Sequence, residues 1–105
     1  MSQQKPVAVI TGGSRGIGRA FVLEAARRGH PVVFSYRSRE AEAERTVQAV
    51  RELGGRAKAV QADLVDFDDI ARVAHAAQAE GPVGLLVNNA GLGEEFTLEQ
   101  MTRED

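Results

Sequence analysis

The sequence has no cysteine among its 105 residues. That excludes disulfides, thiol nucleophiles and thiolate metal sites, and it predicts a cytoplasmic chain. Aromatic residues make up only 5 % of the chain against 43 % hydrophobic residues, so its core must rest on valine, alanine, leucine and isoleucine. Long apolar runs are missing as well. No stretch approaches the roughly 18 residues that a membrane helix needs, and the apolar stretch between Lys5 and Thr11 is too short for a secretory leader. Neither sign of charge is in excess: 13 basic and 15 acidic residues give a formal net charge of -2, so no bulk attraction to nucleic acid is implied. His30 and His75 have no companions at ligand spacing, which predicts no metal site. A chain of this length suffices for one domain and not for two.

What is present alternates between two kinds of segment. Val7 to Ile10 is a compact β-branched run that reads as a buried strand. Ile17, Phe21, Val22, Ala25 and Ala26 then recur at helical spacing, with Leu23 outside the stripe, and Gly29 ends that helix. Pro31 has no amide to donate and can only open the next strand, Val32 to Tyr36. A second helix is predicted over Glu40 to Leu53, with Ala43, Val47, Val50 and Leu53 on its apolar face and Gly54-Gly55 as its stop. Ala57 to Gln61 reads as a weaker third strand. A third helix follows over Asp66 to Glu80, capped by Asp66, with Phe67, Ile70, Ala74 and Ala77 on one face. Leu85 to Val87 forms a fourth strand that runs into Asn88-Asn89-Ala90-Gly91. The clearest strands are continuous apolar runs, which predicts an α/β fold: a parallel sheet with helices on both faces.

The most telling stretch is Thr11 to Gly18, TGGSRGIG, in which four of eight residues are glycine. It lies between the first strand and the first helix, at the end of a parallel sheet where ligands bind. A helix amino end offers unpaired N–H groups and a positive dipole end, and glycine lets an anion approach them. Gly18 is followed by Arg19 and Ala20 rather than Lys and Ser/Thr, which disfavours an ATPase or GTPase loop. Gly16-Ile17-Gly18 begins a G-x-G-x-x-G fingerprint, but position 21 is Phe. The pattern present is TGxxxGxG, carried by Gly12, Gly16 and Gly18, and it suits a pyrophosphate.

TGxxxGxG over Thr11–Gly18 followed by NNAG over Asn88–Gly91 resembles the short-chain dehydrogenase/reductase family in its classical form, including 3-oxoacyl-carrier-protein reductase-like members. The resemblance implies a Rossmann-type sheet, incomplete here at about four strands in the order 3-2-1-4. It also implies that Gly12, Ser14, Gly16, Ile17 and Gly18 surround a dinucleotide pyrophosphate; the Ser14 hydroxyl serves equally well for local turn bonding. Asp63 and Leu64 would lie by the adenine, although an aspartate there also caps turns. Asn89, Ala90 and Gly91 would lie against the ribose next to nicotinamide, with Asn88 supporting the backbone.

The choice between NAD and NADP rests on the end of the second strand. An acid there would bind the ribose diol and repel a 2′-phosphate. Tyr36, Arg37 and Ser38 stand there instead, and no acid lies between His30 and Arg39. Arg15 in the glycine loop and Arg37 can converge on a 2′-phosphate, as the resembling family's NADP-preferring members do, with Arg39 a weaker candidate. The cofactor expected is NADP(H).

The resemblance further implies reversible hydride transfer between NADP(H) and a carbonyl or alcohol, with a serine, a tyrosine and a lysine handling the proton. None of these has a counterpart here. The single tyrosine, Tyr36, is followed four residues later by Glu40, and the only lysines are Lys5 and Lys58. Residues 1–105 therefore read as the N-terminal part of one dinucleotide-binding domain, stopping before the catalytic half, with Thr102 to Asp105 as the start of a further helix. The parent protein is expected to be an NADP-dependent oxidoreductase acting on a small molecule, without nucleic-acid or membrane partners, and assembled as a homodimer or homotetramer. The chain alone is expected to catalyse nothing and, with an open sheet edge, to be marginally stable or to self-associate. Two rivals stand beside this reading: a dinucleotide-binding regulatory module, and a structural fragment that has lost its ligand.

Overall fold

A computed structural model describes residues 5–14 and 16–88. The elements run β1 (Val7–Thr11), α1 (Gly16–Arg27), β2 (Val32–Tyr36), α2 (Glu40–Glu52), β3 (Ala57–Gln61), α3 (Phe67–Glu80) and β4 (Val83–Asn88). The four strands form one parallel sheet in the order β3-β2-β1-β4. It is a Rossmann fold, incomplete relative to the full family architecture, with helices on both faces as the strand runs predict. Thr102–Asp105 lies outside the described residues.

Burial follows position in the sheet. The two central strands, VAVIT and VVFSY, are buried along almost their whole length, because a helix covers each face. Their side chains alternate between two cores. Ala8, Ile10, Val32 and Phe34 meet Val22, Ala25 and Ala26 of α1 and Ala43 and Val50 of α2. Val7, Val9 and Val33 point the other way, toward Val73 and Ala77 of α3. Phe34 and Ile10 are the largest fully buried side chains. Truncating Phe34 to alanine would cost about 3–5 kcal/mol.

Two helices end by the same device. The amides of Gly29 and His30 bond back to Ala26 and Ala25, and those of Gly54 and Gly55 to Arg51 and Val50. Both Gly29 and Gly54 take the positive φ that this closure requires. At the start of α3, the Asp66 carboxylate accepts from the Asp68 amide at 2.8 Å, as a cap should.

The helix faces differ in part from the spacing-based expectation. On α1, Ile17 and Phe21 are exposed, whereas Leu23 joins the core with Val22, Ala25 and Ala26. On α3, Phe67 (87 % exposed), Ile70 and Ala74 lie outside the core, and Val73 takes their place beside Ala77. On α2, Leu53 is exposed and the polar Thr46 is fully buried. The reason is geometric. The buried faces run through Gly18, Val22 and Ala25 on α1 and through Val73 and Ala77 on α3, so apolar residues beside those stripes, such as Phe21, Ile70 and Ala74, face away from the sheet.

Candidate functional site

The parallel register brings four strand ends together. Thr11 is paired with Asn88, and Tyr36 with Gln61, so the carboxyl ends of β1, β4, β2 and β3 share one edge of the sheet. The segments singled out in the sequence leave from this edge: the glycine loop, Tyr36–Ser38 and Asp63–Leu64. Arg15, Asn89, Ala90 and Gly91 lie outside the described residues.

The glycine loop is tied to β2 and β4. The Gly12 amide donates to Ser35 Oγ at 3.2 Å, and the Gly13 amide to the Ser35 carbonyl at 3.0 Å. The Thr11 hydroxyl donates to Asn88 Oδ1 at 2.8 Å, joining the loop's first residue to the end of β4. The Asn88 side chain is thus joined to that of Thr11, while Ser35, which sequence reasoning passed over, is the anchor on β2. Its signal was slight: a small hydroxyl residue inside the apolar run VVFSY.

Three glycines of the loop are required by geometry. A Cβ at Gly13 would stand 2.7 Å from Phe34 Cβ and 2.8 Å from two atoms of the Phe34 ring. Gly16 opens α1 with φ at 62°, in the left-handed region, and nothing lies within 4 Å of where its Cβ would be. Gly12 also has a positive φ, of 71°. The loop therefore lies flat on β2 at Gly13 and stands open at Gly16, ahead of the first turn of α1.

That first turn is electrostatically distinct. It contains no acidic residue, whereas the first turn of α2 carries Glu40 and Glu42 and that of α3 carries Asp68 and Asp69. The positive end of the α1 dipole is thus left uncompensated by its own side chains. Gly18 is buried, and Ile17 is 60 % exposed beside it. The open cradle and the unneutralised amino end fit a pyrophosphate.

At the end of β2, Tyr36 is half-buried and packs against the α1/α2 core, while Arg37 and Ser38 are exposed. The Arg37 carbonyl accepts from Gln61 Nε2 at 3.1 Å, which fixes its backbone, and its guanidinium makes no ion pair with any described residue. Arg39 precedes α2 without capping it through its side chain. A groove of about 560 Å³ between α2 and β3 includes Tyr36 with Glu40, Glu44 and Arg51, but no glycine-loop residue.

The loop after β3 is held by charge. The Asp63 amide donates to Asp69 Oδ2 at 2.7 Å, and Arg72 donates to Asp69 Oδ1 at 2.8 Å and to the Gln61 carbonyl at 2.7 Å. The Arg72 hydrogen bond, and then the Asp63 amide, hold the Asp69 carboxyl below the usual aspartate range. Asp63 Oδ1 accepts from the Val65 amide at 3.2 Å, a local turn bond. Leu64 packs partly against the α3 core. Asp69 reads from the sequence as a first-turn acid of α3, but its hold on the Asp63 amide and its pairing with Arg72 were not foreseen; their i, i+3 spacing is common on solvated helix faces. His30 Nδ1 lies 2.8 Å from the Pro6 carbonyl, a structural contact. Among the described residues no cluster of three or more metal-ligating side chains occurs, and no helix is long and apolar enough to cross a membrane.

The short chain dehydrogenase family matches residues 6–105. Short-chain dehydrogenase/reductase FrzI of Cladobotryum sp is 38 % identical over 98 residues, covering 92 % of this chain and 38 % of the relative. The short-chain dehydrogenase/reductase homolog YusS of Bacillus subtilis (strain 168) is 35 % identical over 102 residues, covering 96 % of this chain and 94 % of that one. Among solved structures, a metagenomic short-chain oxidoreductase in complex with NADP superposes with a TM-score of 0.76 at 37 % identity, over 84 % of this chain and 40 % of the other. A Rossmann sheet with a glycine cradle at its carboxyl edge defines a dinucleotide-binding class of protein. Within that class, the chain belongs to the short-chain dehydrogenase/reductase family. It spans about two-fifths of the length of FrzI and nearly all of YusS.

Proposed function

We propose that the chain is the NADP(H)-binding portion of an oxidoreductase that moves hydride between NADP(H) and a carbonyl or alcohol carbon. The observation that carries this reading is the pairing of the open glycine cradle with a β2 end that presents Arg37 and no acid. Gly12, Ser14, Gly16, Ile17 and Gly18 would hold the pyrophosphate against the amino end of α1. Arg37, Ser38 and Arg15 would take a 2′-phosphate, with Tyr36 beside the adenosine ribose. Asp63 and Leu64 would bound the adenine, and Asn89, Ala90 and Gly91 the ribose nearest the nicotinamide. The bound dinucleotide would supply the hydride. The chain's own part is to bind and orient it, because the family's proton-handling serine, tyrosine and lysine have no counterpart among these 105 residues. The solved relative in complex with NADP supports the cofactor choice.

Fluorescence titration with NADPH and NADH tests the reading. NADPH should bind more tightly than NADH. Arg37→Ala should weaken NADPH about 10- to 100-fold, the loss expected for a charge-assisted hydrogen bond, and leave NADH unchanged. Equal loss for both dinucleotides would refute a role at the 2′-phosphate. Negligible binding of either would favour the structural rival.

A further inference from the structure

The fully buried Thr46 is the polar residue of α2 that the cofactor reading leaves unused. Its hydroxyl lies 3.1 Å from the carbonyl of Ser14, in the glycine loop, and 3.1 Å from that of Glu42, one turn back on its own helix. The hydroxyl has a single proton, which these two carbonyls share; the Glu42 contact is the local one open to any helical threonine. The Ser14 contact joins residues 32 apart in sequence. One carboxylate oxygen of Glu42, Oε2, is buried without a hydrogen-bond partner among the described residues. Removing the Thr46 hydroxyl would leave the Ser14 carbonyl to seek another donor.

We propose that Thr46 is a positioning residue for the glycine loop: by holding the Ser14 carbonyl onto α2, it fixes the loop two residues before the amino end of α1, where the phosphate would bind. Ser35 fixes the start of the loop through Gly12 and Gly13, and Thr46 fixes it two residues before Gly16. The loop is thereby pinned on both sides of its Gly13 contact with Phe34. A mobile loop would have to be ordered by the ligand, and that ordering would subtract from affinity.

The inference rests on the dinucleotide reading, but its test does not require a ligand. Thr46→Val keeps the shape and removes the hydroxyl, whereas Thr46→Ser keeps the hydroxyl. Amide hydrogen exchange is measured at Gly12 and Gly13, the loop amides that are bonded to Ser35, with Val9 and Phe34 as strand references. In Thr46→Val the loop amides should exchange about five-fold faster, the equivalent of one neutral hydrogen bond, while the strand amides hold their rates; Thr46→Ser should restore the loop. Unchanged loop exchange in Thr46→Val would overturn the proposal, and so would equal acceleration of loop and strands. In parallel, NADPH affinity should fall about five-fold in Thr46→Val and recover in Thr46→Ser. If the wild-type chain binds neither dinucleotide, the cofactor reading falls, and the exchange comparison still decides the role of Thr46.

Discussion

Replacing Gly13 by alanine adds one methyl group at the most tightly packed point of the glycine loop. The new Cβ would meet Phe34 Cβ at 2.7 Å and two ring atoms at 2.8 Å, all well inside van der Waals contact. No rotamer of Phe34 relieves the first contact, because a Cβ is fixed by its backbone, and that backbone lies in the buried strand β2. Gly13 has no positive φ, so the penalty is steric and carries no left-handed strain. Overpacking of this kind costs about 1–3 kcal/mol. At about 2.1 cal/mol/K per residue, a chain of 105 residues has an unfolding entropy near 0.2 kcal/mol/K, so the melting temperature should fall by about 5–14 °C. Circular dichroism on matched concentrations reads this directly. The loop must also lift off β2 and lengthen the Gly13 bond to Ser35, so NADPH affinity should fall in protein that is still folded. Gly54→Ala serves as comparison: it strains a left-handed residue with nothing within 4 Å, far from the site in sequence, and should cost stability without changing affinity. A Gly13→Ala melting point within about 1 °C of wild type would refute the packing assigned to the loop.

Two further outcomes follow from the charges and the sheet edge. Because the folded Asp69 carboxyl is held below its unfolded range, its stabilising effect is complete above the unfolded aspartate value of about 4 and is lost as pH falls from there through the lower folded value; melting curves of wild type and Asp69→Asn should therefore converge on acidification, and parallel curves would dismiss the Arg72–Asp69–Asp63 link. Strand β4 pairs with β1 on one side, has no described strand on its other side, and exposes Val83 (48 %) and Leu85 (37 %); sedimentation should show concentration-dependent association, and a monomer with a cooperative, concentration-independent melt would contradict it.

Relatives of two lengths sharpen the question of what such a chain does. FrzI extends well beyond the matched region, whereas YusS is almost wholly covered by it. Whether this chain binds a dinucleotide bears on both cases.

Much of this protein was legible before any tertiary structure. β-branched runs marked strands, and glycines at the ends of apolar stripes marked helix stops, since both are short-range steric preferences. The strand ends then placed TGGSRGIG at the carboxyl edge of a parallel sheet, and the same residues carried the family. Other features depended on residues that meet only in three dimensions. Gly13 reads like any loop glycine until Phe34 is found against it. Thr46 breaks the apolar stripe of α2 until the Ser14 carbonyl explains its burial, and Asp69 looks like a surface acid until the Asp63 amide lies on it. Ile17, Phe21 and Phe67 had the right period and the wrong neighbours. Local sequence determined which elements form and which loop is free of side chains. The fold decided which groups touch, because burial and hydrogen bonding across 20 or more positions are properties of the packed sheet and its helices, which no single segment carries alone.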